Sequence, residues 1–274
     1  MRSSSAILIL TAALAVVPIQ ASGLKFTSSF ESIKVQARPG DVVTRSWQLH
    51  LKDNQGARFH AKIEDWWQSE DGERSTYEKP GVLHHSCGPW ITLSPVETVV
   101  AAGSTLSVQI TATVPQTIAP GGYWCVLTVD QLPDPLAPAQ GVQVNFLSSI
   151  STGIFIYIDP VVRELEITAI DISARQARIM VRNVGNAPVG LDGRIEISKT
   201  AEGPPVVSAT FVRTTVLTEP IATRSFVTKL PDLAALPAGR YLVRVILDLG
   251  LDHDLGAQRE LVIPDDLKRT AKGL

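Results

Sequence analysis

Charge, histidine, cysteine and long apolar runs are all in short supply in this sequence. Only 19% of its 274 residues are charged while 45% are apolar, a balance that excludes a disordered chain. Beyond the first twenty residues no stretch is long and apolar enough to cross a membrane as a helix, so no transmembrane segment is expected in the mature chain. Residues after position 21 carry 24 basic and 27 acidic side chains, which lacks the basic footprint of a nucleic-acid binder. There is no Gly-x-Ser-x-Gly elbow, no phosphate loop and no His-Glu-x-x-His, and only five histidines. No enzyme, no cofactor and no metal is expected.

The one long apolar run lies at the start. Arg2 precedes Ala6 to Val17, and Pro18-Ile19-Gln20-Ala21 offers a small residue for cleavage. Residues 1–21 read as a secretory signal peptide, which puts the protein in the periplasm or outside the cell. The only cysteines, Cys87 and Cys125, both follow it, and in an oxidising compartment such a pair is expected to form a disulfide.

What the sequence has in quantity is alternation with a period of two. From Val142 to Ile158 the even positions read Val142, Val144, Phe146, Ser148, Ile150, Thr152, Ile154, Ile156, Ile158. This predicts one long strand over 141–158 with a single face against a core. Earlier strands follow the same rule: Trp47, Leu49 and Leu51 share a face, as do Leu106, Val108, Ile110, Ala112 and Val114, and Tyr123, Cys125, Leu127 and Val129. The phase changes near Glu31-Ser32, which implies a bulge or a switch of face. Residues 68–88 read as a long polar loop.

The second half offers seven further strands: Glu164 to Ile172, Ala177 to Val184, Arg194 to Lys199, Val206 to Val216, Arg224 to Leu230, Arg240 to Leu249 and Gln258 to Ile263. Strands spaced by turns, with no helical period, predict an all-β chain of two immunoglobulin-like β-sandwich domains in tandem after a signal peptide. The expected organisation is 22–159, closed by the strand 141–158, then 160–264, then a polar tail 265–274. The joint is expected near Asp159-Pro160.

Two phrases carry a resemblance. Trp90-Ile91-Thr92-Leu93-Ser94-Pro95, Ala102-Gly103, Val114-Pro115 and Ala119-Pro120-Gly121-Gly122-Tyr123-Trp124 together are similar to the second half of immunoglobulin-like modules of exported bacterial proteins. Among these are the periplasmic chaperones of the chaperone–usher pilus pathway. Val181-Arg182-Asn183-Val184-Gly185-Asn186 and Leu236-Pro237-Ala238-Gly239-Arg240-Tyr241 resemble extracellular immunoglobulin-like modules. Phe155-Ile156-Tyr157-Ile158-Asp159-Pro160 resembles the end of the chaperones' long strand and the linker after it. The resemblance implies that this strand is lent to a secreted or pilus-like subunit by strand pairing. It also implies a cleft lysine near the strand's end and an arginine from the first strand, which hold the subunit's terminal carboxylate. This sequence departs there: Phe155 lies at the lysine's place, and the basic residues nearby are Lys25 and Lys34.

The expected partner-binding face is Val142, Val144, Phe146, Ile150, Ile154 and Ile156, an apolar edge that a partner or a second copy of the chain should cover. Adjacent strand residues face opposite ways, so one of Trp66 and Trp67 is a candidate exposed partner anchor, while packing in the core or at its rim is the preferred reading. His84-His85-Ser86-Cys87 reads as an exposed loop in preference to a metal site, and Asp252-His253-Asp254 as a solvated turn. The alternative to a chaperone-like protein is a structural or adhesive envelope module with no client.

Overall fold

The computed structural model describes residues 26–29, 32–53, 55–133 and 147–264. The expected signal peptide, Lys25, Val142, Val144, Phe146 and the tail 265–274 lie outside the described residues.

The first sandwich packs two sheets face to face. One has the order β1 (Phe26–Ser28), β3 (Val42–Leu51), β8 (Thr105–Thr113), β6 (Ile91–Ser94). The other runs β2 (Ser32–Ala37), β10 (Ser149–Ile158), β9 (Gly121–Leu132), β4 (Ala57–Gln68), with β5 (Ser75–Glu78) and β7 (Glu97–Val100) both pairing β4. All pairings are antiparallel except that of β2 with β10. Alternation places the strands: Trp47, Leu49 and Leu51 of β3 and Leu106, Val108 and Ile110 of β8 are buried. On the opposite face their neighbours pair by hydroxyls across the ladder, Thr44 with Thr111 at 3.2 Å and Ser46 with Ser107 at 3.0 Å.

The second sandwich packs β11 (Leu165–Ser173), β12 (Gln176–Asn183) and β15 (Thr223–Lys229) on a sheet of order β14 (Val207–Val216), β13 (Val189–Ser198), β16 (Gly239–Asp248), β17 (Leu255–Ile263). All seven strands expected in this half are present, with β13 starting five residues earlier than its alternation suggested. Its core gathers Ile179, Val181, Leu191, Ile195, Val243 and Val245 among others.

Three expectations are corrected. The phase change after β1 is a transfer between sheets: β1 pairs β3 in one sheet, and β2 pairs β10 in the other. Residues 68–88 are not all loop, because β5 folds back on Asp65–Gln68 of β4 as a hairpin. Its turn is closed by Asp71, whose Oδ1 accepts from the Ser69 hydroxyl and from Glu73 N at 3.0 Å. The stretch 141–158 is not one continuous strand, since Leu147 and Ser148 lie outside a strand and β10 begins at Ser149. Leu147 and Ser148 precede the ladder, although Ser148 O still accepts from Gln131 N at 2.8 Å.

Cys87 and Cys125 form the expected disulfide, with Cα atoms 5.4 Å apart. Both are fully buried in the first core, and Cys125 stands opposite Ile154 in the ladder. The bridge pins the loop before β6 to the centre of β9.

Candidate partner-binding edge and interdomain cleft

The direction of each backbone group along β10 follows from one hydrogen bond. The Ser148 carbonyl points at β9, so alternation turns the amides and carbonyls of Ser149 and Ser151 to the opposite side. From Gly153 to Ile158 that side is occupied by β2, in register Gly153 with Ser32 through Ile158 with Ala37. Over Ser149 to Ser151 no strand pairs it among the described residues. Among the described residues β10 is thus paired on both sides at its end and on the β9 side alone at its start.

Its side chains change along the same line. Ile150 is half-buried against the core, while Ile154, Ile156 and Ile158 are buried in it. Thr152 is buried too, its Oγ1 accepting from the Trp47 indole at 3.0 Å. Of the expected partner-binding residues described, Ile150 alone lies on the open stretch. Ile154 and Ile156 are core residues on a stretch that β2 covers. On the outer face Ser149 and Ser151 are exposed, and Ser149 Oγ donates to Asp130 Oδ1 at 2.6 Å. Lys62 bridges Asp130 and Glu64 at 3.2 and 3.1 Å. Burial pulls its ammonium down, but bonding and charge from the two carboxylates outweigh this, and the net direction is up.

Past Gly153 the outer face becomes apolar. Phe155 and Tyr157 are buried with Trp124, Leu83, Ala187 and Leu217 in a cluster that joins the two sandwiches. Trp66 and Trp67 pack half-buried against this cluster, the core-or-rim placement preferred over an exposed anchor. Trp66 meets Phe155 edge-on, and its carbonyl accepts from the Trp124 indole at 3.0 Å. Their position follows from β4 running on beyond β9 into the β5 hairpin, which brings both indoles under the second sandwich.

Polar contacts cross the same joint. Gly122 N donates to Asn186 O at 2.8 Å, and a Cβ on Gly122 would meet Pro188 Cδ at 2.6 Å, so only glycine admits this approach. Asn186 Oδ1 accepts from Val162 N at 2.7 Å. His85 stacks on Trp124 with 9° between planes, and its backbone N donates to Glu219. With Cys87 in a disulfide and His85 stacked here, the His84-His85-Ser86-Cys87 run is not assembled as a ligand set. Among the described residues no group of three or more His, Cys, Asp and Glu could hold a metal.

Beside this joint lies a cleft of about 490 Å³ lined by Lys34, Tyr157, Arg163, Asp192, Arg213 and Asp248 together with residues 249–251. Lys34 sits opposite Phe155 in the parallel ladder, beside the place where the resemblance puts a cleft lysine. The Arg163 guanidinium lies 4.6 Å over the Tyr157 ring. Burial pushes the Tyr157 phenol up and Arg163 pulls it partly back. Arg213 lies 3.9 Å from Asp192, and Asp248 accepts from Gly250 N at 2.7 Å. Lys34 and Arg163 have no ion pair among the described residues, so the cleft, with three cations to the two acids Asp192 and Asp248, offers two cations to an anion.

Four further residues escaped the sequence reading. Asp65 is buried and accepts from Gly81 N, Leu83 N and the Ser86 hydroxyl. Its signal was an acid in mid-strand beside two tryptophans. Arg163 gave no signal beyond its place in the linker. Phe155 and Tyr157 did: two apolar odd positions after Gly153 interrupt a one-faced pattern, the mark of a strand buried on both faces.

No protein-family model matches the sequence, and no curated protein matches it. Solved structures do. A chaperone–tip adhesin complex of CFA/I fimbriae biogenesis aligns over 88% of this chain and 99% of that one, with 13% identity and a TM-score of 0.50. The class 5 fimbriae chaperone CfaA aligns over 86% and 99%, with 14% identity and a TM-score of 0.50. At such identity the likeness is one of fold, and the fold of this chain is that of the two-domain fimbrial chaperones.

Proposed function

We propose that this protein is a pilus-assembly chaperone of the periplasm that binds a secreted subunit by strand pairing, without catalysing a reaction. The reading takes residues 1–21 as a removed export signal, and 22–159 and 160–264 as the two domains. The observation that carries it is the edge of β10 at Ser149–Ser151, which no described strand pairs on the side away from β9. The Ser149 and Ser151 amides point to that side, Ile150 supplies an apolar contact, and β2 limits how far a guest strand can run. The guest would end near Ser32, close to the Lys34 and Arg163 cations, where a terminal carboxylate finds partners. An open apolar edge is an aggregation hazard in a protein with no client, which favours a client over a purely structural module.

The test is Ser151→Pro. Proline removes an outward amide and is tolerated on sheet edges, while the β9 ladder of Ile150 and Thr152 is kept. Native extraction of the envelope with the wild type should recover a pilin-like subunit in stoichiometric complex. Ser151→Pro should lose it with an unchanged melting curve. A wild-type protein recovered alone and monomeric would instead support the structural or adhesive module.

A further inference from the structure

The Ser69–Arg74 tip of the β4–β5 hairpin leaves the first sandwich and lands on the second. Ser225 N donates to Glu70 O at 2.8 Å, and Arg224 Nη1 donates to Ser69 O at 2.9 Å. The other arm of the same guanidinium, Nη2, reaches Thr214 Oγ1 at 3.3 Å. One side chain therefore ties the tip to β15 and to β14, the neighbouring edges of the two sheets. Gly72 lies flat against it: a Cβ there would come 1.7 Å from Arg224 Nη2, and its φ is +74°. Burial lowers Arg224 below the usual arginine value and nearby Asp71 offsets this, as expected for a guanidinium enclosed between two surfaces.

The contact has leverage. The linker enters β11, β11 pairs β12, and β12 pairs β15. The tip thus docks two strand spacings, about 10 Å, from the strand that the linker feeds. The Gly122–Asn186 and Val162–Asn186 bonds lie beside the linker, where a rotation about it moves them least, and the bond from His85 N to Glu219 is a further polar tie across the joint. A turn of about 10° would move a contact at the tip by about 2 Å, enough to break its hydrogen bonds. The shared apolar cluster is non-directional and tolerates sliding.

We infer that Arg224 is a positioning residue that fixes the angle between the two sandwiches. It thereby sets the width of the cleft between Lys34, Tyr157 and Arg163 on one side and Asp192 and Asp248 on the other. The inference concerns the domain angle and holds whether or not the cleft binds a subunit.

The test is Arg224→Ala in the full-length protein, followed by amide hydrogen exchange and small-angle X-ray scattering. Exchange over residues 69–74 should rise at least tenfold and the radius of gyration should increase, with exchange in β9 and β16 unchanged. Scattering that superimposes on the wild type would overturn the inference, as would faster exchange spread evenly through both cores. Gly72→Ala forces the guanidinium aside with Arg224 present and serves if Arg224→Ala does not fold. It should give the same local exchange and the same expansion, and an unchanged profile counts equally against the inference.

Discussion

Trp47 and Thr152 meet at the centre of the first sandwich, where the indole Nε1 of the one donates to the hydroxyl of the other at 3.0 Å. The bond joins β3 of one sheet to β10 of the facing sheet. The next residue along β10, Gly153, is the first that β2 pairs among the described residues. The two sheets are thus registered beside the start of the β2 ladder.

Thr152→Val keeps the shape of the side chain and leaves a fully buried indole N–H without this acceptor. The expected loss is about 1–3 kcal/mol, the cost of an unsatisfied buried donor. Urea unfolding at equilibrium measures it, and Thr152→Ser should retain most of the stability. A valine variant as stable as the wild type would show that the bond contributes nothing net.

The disulfide closes 38 residues of chain. The chain-entropy model assigns such a loop about 4 kcal/mol, and native disulfides of secreted domains cost about 2–5 kcal/mol to remove. Replacing Cys87 and Cys125 by alanine together should lower the denaturation midpoint of the first sandwich. The second shares no part of the bridge and should keep its own transition.

Asp65 holds three donors of the 79–88 loop at once. Asp65→Ala strands them in the interior and should cost more than about 3 kcal/mol, since each unpaired donor costs about 1–3. Asp65→Asn keeps one oxygen acceptor and should lose less. Thermal melting separates the two. Equal stability of the variants would mean that water replaces the carboxylate.

The fold was legible because both sandwiches are built from one-faced strands, and turn residues punctuate them. Trp47, Leu49 and Leu51 announce their face without any structure. What stayed hidden depends on pairs far apart in the chain. Ile154 and Ile150 look alike in sequence, yet one lies where β2 covers the edge and the other where no described strand does. One of Trp66 and Trp67 could be read as facing out because a strand pattern assumes that only one face is buried. The second sandwich, whose strands start a hundred residues later, covers the other. The cations of the cleft come from β2, the linker and β14, and no local pattern links Lys34, Arg163 and Arg213.

The hairpin tip should respond to acid. Asp71 is held below its ordinary value of 3.8, first by the Ser69 hydroxyl and then by Glu73 N. A carboxyl with a depressed folded-state pKa contributes stability that is present above the unfolded value and lost as pH falls through the folded one. The tip should therefore stay docked above pH 3.8 and loosen below it. Carbon-13 titration of the Asp71 carboxyl, with exchange at the Gly72 amide, tests this. Asp71→Asn should abolish the acid-dependent part.

The cleft makes the sharpest demand on the functional reading. Lys34 and Arg163 lack carboxylate partners among the described residues, and both line the cleft beside the closed end of β10. A guest strand paired along Ser149–Ser151 and ending near Ser32 would bring its terminus to them. Charge-assisted hydrogen bonds contribute about 1.5–3 kcal/mol, or about ten- to a hundredfold in affinity. A synthetic strand peptide with alternate valines should therefore bind at least tenfold tighter as the free acid than as the C-terminal amide. Lys34→Ala combined with Arg163→Ala should erase that difference and leave the affinity for the amide unchanged, whereas Ser151→Pro should weaken both peptides alike. Raising the salt concentration should narrow the gap between acid and amide, because the cleft is open to solvent. Equal affinity of the two peptides for the wild type would rule out carboxylate anchoring while leaving pairing along the edge intact.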